Sequence, residues 1–230
     1  VARCLAYGLR LNGGATCIAP RRVFVPEGVA AALEAKLAAL LPGIPDAVVP
    51  GAVADRLAGL VEQTVAFCAG RPTVVADVRP GMALLDVDIF APWLALVPVV
   101  DTAAALEAAE ACGYALGVSI FGPAAAARVV AGQVRAGSVC INDLIVPTAD
   151  PRLPFGGRGR SGFGSTRGAE GLLEMTVLKT VSIRHGRFRP HLDTATPNDA
   201  ALFAHMTALL HGTWRGRLAA LRGLVVAGRG

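Results

Sequence analysis

The sequence lacks a C-x-x-C pair, and no histidine stands at ligand spacing from a cysteine, which argues against a zinc site. Its five cysteines, Cys4, Cys17, Cys68, Cys112 and Cys140, are odd in number and widely scattered. That spacing argues against a disulfide framework and suits a reducing, cytoplasmic setting. Long apolar runs are missing too. The longest, "IFAPWLALVPVV", is interrupted by Pro92 and Pro98, too short for a bilayer and better suited to a buried strand. The first residue is Val rather than Met, and no charged segment leads an apolar one, so neither a start nor a signal peptide is read. With no RNP-like aromatic pattern and no recognition helix, nucleic acid is not an expected partner. No internal repeat is found. The expectation is a soluble protein.

What is present is an apolar, arginine-rich chain of 230 residues, 53% hydrophobic, long enough for one large domain or one domain with an appendage. The formal charge of +5 comes mainly from arginines crowded in Arg152 to Arg189 and in Arg215 to Arg229. Such a balance favours anionic cofactors or acidic partners, although a solvated rim is the commoner cause.

Periodicity predicts an alternation of helices and strands up to about Ile183. Helices are expected over Val1 to Leu11, Gly28 to Leu41, Val53 to Ala69, "TAAALEAAEACG" and "PAAAARVVAGQVRAG", the last with Pro123 in its first turn. Strands are expected over Arg22 to Val25 and in "PTVVADV", "WLALVPVV", "LGVSIFG" and "SVCIN". The fold class is therefore α/β, a parallel sheet covered by helices on both faces. The stretch "DLIVPTADPRLPFGGRGRSGFG" is too long for an ordinary connection and is read as a binding loop or lid. Ser165 to Glu174 follows as a helix and "MTVLKTVSI" as a strand. Domain boundaries are set at 1–183, a linker at 184–199 and an amphipathic helical tail at 200–230.

Gly157, Gly159 and Gly162 match G-x-G-x-x-G, but a Pro-rich loop precedes them where a dinucleotide fingerprint needs a strand. Cys17 taken alone is equally weak, because free cysteines are usually buried and inert. Its neighbours change that reading. Asn12, Gly13 and Gly14 permit a tight turn just before the strand "RRVFV", so the thiol can sit on a backbone corner beside unpaired N–H groups. His185, His191, His205 and His211 lie beyond these motifs and are read as structural.

"NGGATCIAPRRVFV" resembles the nucleophile motif of the aldehyde dehydrogenase superfamily, Asn-x-Gly-Gln-x-Cys followed by a strand. "DIFAP", "YALGVSIFG", "AGSVCIN" and "PFGGRGRSGFGSTRGAEGLLEMTVLKTV" follow in that family's order. The resemblance spans Val1 to about Ile183. It implies the catalytic domain of an NAD- or NADP-dependent enzyme that oxidises an aldehyde to an acid through a thiohemiacetal and a thioester on Cys17. Cys17 and Asn12 are then the candidate catalytic residues, and the Cys17 N–H is half of the oxyanion hole. Asp88 falls at the ribose-binding Glu and Phe90 at the ring bracing the nicotinamide, while Asn142 and Phe155 fall near the substrate pocket. The strand 176–183 would pair across a subunit interface, giving a homo-oligomer. By composition alone it could equally be an ordinary sheet strand.

Three positions depart from the family. Ala15 stands for Gln or Glu, Asp88 for Glu and Ala91 for Gly, and the stretch between Leu41 and Asp88 is shorter than usual. The family's cofactor-binding half, with its general-base Glu, is expected in a complementary segment outside this sequence. A relative kept only as an interaction or oligomerisation module is the rival reading. The tail lies outside the resemblance. Leu202, Phe203, Met206, Leu209 and Leu210, then Trp214, Leu218, Leu221 and Leu224, fall at helical spacing with Arg215, Arg217 and Arg222 interleaved. Such a helix can lie on a membrane, though it more often packs on its own domain or a partner subunit.

Overall fold

A computed structural model describes residues 1–61, 70–187, 189, 192 and 194–227. The chain divides into two compact units, Val1–Leu178 and Lys179–Gly230. The first contains every strand of the described residues.

Helix α1 (Ala2–Arg10) leads through a tight turn into strand β1 (Arg22–Pro26), and helix α2 (Glu27–Leu40) follows directly. Helix α3 is described over Gly51–Val61. The remainder of the helix expected to Ala69, with Cys68, lies outside the described residues. Strands β2 (Thr73–Val75) and β3 (Trp93–Val99) complete a parallel sheet of order β1-β3-β2. Arg22 lies opposite Ala95, and Thr73 opposite Trp93.

β3 is central, which explains its near-continuous apolar sequence: a parallel strand covered on both faces has no polar side. Its alternation divides the core in two. Trp93, Ala95, Val97 and Val99 pack with Leu57, Val75, Leu84 and Ile89 on one face, while Leu94 and Leu96 pack with Leu5, Leu9 and Leu37 on the other. Pro98 is tolerated within this strand because of where its missing N–H would point. Ala95 N–H donates to Arg21 O towards β1, whereas Leu96 O faces the β2 side and accepts from Val78 N–H. Position 98 shares the β2 side, and β2 ends at Val75, opposite Ala95.

Helix α4 (Thr102–Glu110) starts at Asp101, whose Oδ1 accepts the Ala104 N–H at 2.8 Å. Asp101→Ala is expected to cost about 1 kcal/mol, the usual value of such a cap, read as a lower urea midpoint with an unchanged slope. Strands β4 (Tyr114–Ala115) and β5 (Gly117–Ile120) precede helix α5 (Ala124–Gln133) and strand β6 (Ser138–Ile141). Pro123 occupies the N-cap of α5 rather than its first turn. β5 and β6 form a parallel pair of their own. The long loop folds back through β7 (Arg158–Gly159), antiparallel to β4, and is pinned by the Ala115 N–H to Ser161 Oγ bond at 3.0 Å. Its glycines fall between Phe155 and Thr166, which bridge antiparallel.

Helix α6 spans Gly168–Leu173, shorter than the expected 165–174. The strand expected over 176–183 is absent from the described chain. Val177 and Leu178 are 95% and 100% exposed, and no strand lies alongside. β-branched composition favours an extended segment, but a strand exists only when a neighbour takes up its N–H and C=O groups. The boundary between units, after Leu178, falls inside this segment, five residues ahead of the expected break at 183.

The second unit is a helical hairpin, α7 (Asp199–His211) and α8 (Trp214–Ala227). Asp199 holds the start of α7, accepting from the Thr196 N–H and hydroxyl at 2.9 and 2.7 Å. Arg217 reaches back from α8 to the last carbonyls of α7, donating to Gly212 O at 3.0 Å and Leu210 O at 3.1 Å. The imidazole of His205 packs against Gly223, where any Cβ would collide with the ring. His205 and Gly223 thereby set the close approach of the two helices.

Candidate active site

The turn between α1 and β1 is built from three consecutive residues with positive φ: Asn12 at 51°, Gly13 at 59° and Gly14 at 72°. Asn is the side chain that best tolerates this region, and the glycines have no Cβ to clash. Two reciprocal bonds close the turn: Ala15 N–H donates to Asn12 O at 3.0 Å, and Asn12 Nδ2 donates to Ala15 O at 2.9 Å. The amide of Asn12 is therefore engaged in shaping the turn.

Cys17 follows on the exposed side of this turn with a free thiol. Among the described residues its N–H enters no hydrogen bond, so a donor stands beside the sulfur, as an oxyanion hole requires. The other described cysteines lack that combination. Cys112 and Cys140 are buried and Cys4 is half-buried. Burial, with Asp143 adding to it, pushes the Cys140 thiol up and keeps it protonated.

Arg21 is given no role by any of the motifs read from the sequence. This arginine is buried and clamps the turn to the start of the central strand. It donates to Gly14 O through Nη2 and to Ala91 O at 2.7 Å through Nη1, with Trp93 O at 3.3 Å, and it lies over the Trp93 ring at 5.8 Å. Burial lowers its pKa to about 10, opposed by the attraction of Asp88, so the guanidinium remains charged at neutral pH. An arginine pair opening an apolar strand was the available signal. Which member turns inward depends on carbonyls some 70 residues away in sequence.

Phe90, 47% exposed, and Arg10, Asn12, Gly13 and Ala15 line one open cleft of about 350 Å³ together with Pro45 to Val49; Cys17 and Asp88 are not in this lining. Asp88, two residues ahead of Phe90, is exposed. The accessible Phe90 ring is the feature of this cleft that fits the nicotinamide end of a dinucleotide. Asn142 and Phe155 are not in this lining. Asn142, at φ 58°, donates to Gly122 O at 2.9 Å and accepts from Gly122 N–H at 2.8 Å, latching the end of β6 to the β5–α5 connection. Phe155 bridges to Thr166 and lies under Arg167 at 4.9 Å. Arg160 ties the same loop to Asp86 at 3.2 Å, an exposed pair. No metal-ligand cluster occurs among the described residues.

The stretch 59–181 matches the Aldehyde dehydrogenase family. Over 200 residues the chain is 33% identical to a probable NADP(+)-dependent succinate-semialdehyde dehydrogenase of Synechocystis sp., covering 75% of this chain and 43% of that protein. It is 28% identical to a probable coniferyl aldehyde dehydrogenase of Pseudomonas aeruginosa over 203 residues, 78% of this chain and 43% of the other. Among solved structures it is similar to an NAD-dependent aldehyde dehydrogenase from Sinorhizobium meliloti, with TM-score 0.73, 27% identity, and 84% and 43% of the two chains covered. The chain thus spans less than half the length of these relatives.

Proposed function

The chain belongs to the aldehyde dehydrogenase family, and from that premise we infer that it is the catalytic portion of an NAD- or NADP-dependent enzyme that oxidises an aldehyde to a carboxylic acid. The observation that carries this reading is Cys17: a free, exposed thiol just past a tight turn of positive-φ residues, with its own N–H in no hydrogen bond among the described residues. Addition of the Cys17 sulfur to an aldehyde carbonyl forms a thiohemiacetal, and the developing oxyanion falls to the Cys17 N–H. NAD or NADP supplies the hydride acceptor when bound, and Asp88 and Phe90 are the residues here that would hold its ribose and ring. Oxidation leaves a thioester on Cys17, released as the acid by water. Asn12 and Arg21 fix the corner from which the sulfur attacks. Asn142 and Phe155 would act in the substrate region through the loops they secure.

The cofactor-binding half and the general base would come from a complementary segment, and residues 176–183 would pair with a second subunit. Their exposed side chains, Val177, Leu178, Val181 and Ile183, support that last point. The rival reading, a non-catalytic interaction module, draws on Ala15 and Asp88, the two departures at the site.

The test needs no nicotinamide. Treatment of the chain with p-nitrophenyl acetate, followed by intact mass, is expected to add one acetyl group, mapped to Cys17 and missing from Cys17→Ser. Absence of an adduct, or one that survives in Cys17→Ser, would mean either that the complementary segment is needed to form the site or that the chain is the interaction module, and adding that segment in trans would decide.

A further inference from the structure

The hairpin of the second unit has more apolar surface than its two helices can bury in each other. On α7, Leu202, His205, Ala208 and Leu209 are half-buried, while Phe203, Met206 and Leu210, at i, i+3 and i+7, are exposed. On α8 the same division recurs. Gly216, Ala220, Gly223 and Ala227 form the inner stripe, and Trp214, Leu218, Leu221 and Val225, at i, i+4, i+7 and i+11, form an outer one. At 100° per residue, Arg215 and Arg222 fall on one flank of this outer stripe and Arg217 on the other. No Asp or Glu occurs after Asp199.

We propose that the outer stripe of α8, which faces away from α7, docks on an anionic lipid bilayer surface. The charge pattern selects that occupant. A second copy of the chain, paired about a two-fold axis, would set arginine against arginine with no acid in the segment to compensate. A lipid headgroup layer supplies negative charge for the flanks and an apolar layer beneath for the stripe. Trp214 stands at the N-terminal end of the stripe with the Arg215 guanidinium 5.3 Å from its ring, an aromatic and basic pairing suited to the headgroup boundary. α8 lies flat: none of the described helices is long and apolar enough to cross. The proposal is independent of the chemistry at Cys17.

The two tryptophans provide the readout. Trp93 is fully buried and Trp214 is 69% exposed, so vesicle binding should shift Trp214 emission to the blue while Trp93 stays constant. The full chain is expected to sediment with phosphatidylglycerol-containing phosphatidylcholine vesicles, and not with pure phosphatidylcholine. Arg215→Gln with Arg222→Gln should weaken partitioning about 25-fold, at about fivefold per arginine, and added salt should weaken it further. Leu218→Ser with Leu221→Ser should weaken it more than about tenfold. Both pairs are exposed, and an unchanged far-ultraviolet dichroism spectrum verifies the fold. No sedimentation with anionic vesicles, or equal binding to neutral ones, overturns the proposal. So does a dimer in light scattering that the leucine variant dissociates, which would make the face a contact between copies.

Discussion

Arg21→Met is expected to destabilise the Val1–Leu178 unit by about 2–4 kcal/mol and to suppress acylation of Cys17 well below the denaturation midpoint. The guanidinium bonds three backbone carbonyls, Gly14 O, Ala91 O and Trp93 O, none of which methionine can satisfy. Two effects limit the loss. Ala91 O retains the Trp93 N–H at 2.8 Å, and the variant no longer bears the cost of burying a charge. Gly14 O has no such reserve among the described residues, so the turn carrying Cys17 should loosen first. Arg21→Lys should recover little, because an ammonium on a flexible stem lacks the planar fork that spans three acceptors. Urea unfolding gives the stability and mass spectrometry the acylation rate; a loss under about 1 kcal/mol, with normal acylation, would show that the clamp is dispensable.

Gly14→Ala should be nearly as severe, at about 3 kcal/mol, and for two separable reasons. Its φ of 72° lies in the left-handed region, and an added Cβ would stand 2.5 Å from Ala91 O and 2.7 Å from Pro92 Cα. Both neighbours are backbone of the segment leading into the central strand and cannot turn aside. Gly81→Ala isolates the first contribution, since Gly81 has φ 86° with nothing within 4 Å. It should cost only about 1–2 kcal/mol. Equal losses in the two variants, read from urea midpoints, would mean that contact with residues 91 and 92 carries no weight.

Helices and parallel strands could be read from the sequence because a 3.6-residue or continuous apolar period survives without knowledge of neighbours. The Cys17 turn was legible for a similar reason: Asn-Gly-Gly is among the few sequences that permit three successive positive φ values. Arg21 was hidden because inward and outward arginines look alike until the acceptors are located. The turn bond of the Asn12 amide was not legible, because a motif gives proximity to the sulfur without saying which atom the amide already serves. The segment 176–183 has strand-like residues, yet pairing needs a second backbone alongside, which composition does not supply.

Pro98 bears on a hazard that the exposed run from Leu172 to Leu178 makes acute. Sheets with an accessible flank recruit further strands, and fibrils grow when each recruited strand offers the same flank again. Past Val75, the flank of β3 offers little to recruit with. The Leu96 carbonyl is already taken by Val78, and position 98 has no proton to give. A foreign strand laid there would find its ladder broken within one repeat. A strand from another copy is thereby denied that stretch of the central strand, leaving the outer edges of β1 and β2 as the places where one could add.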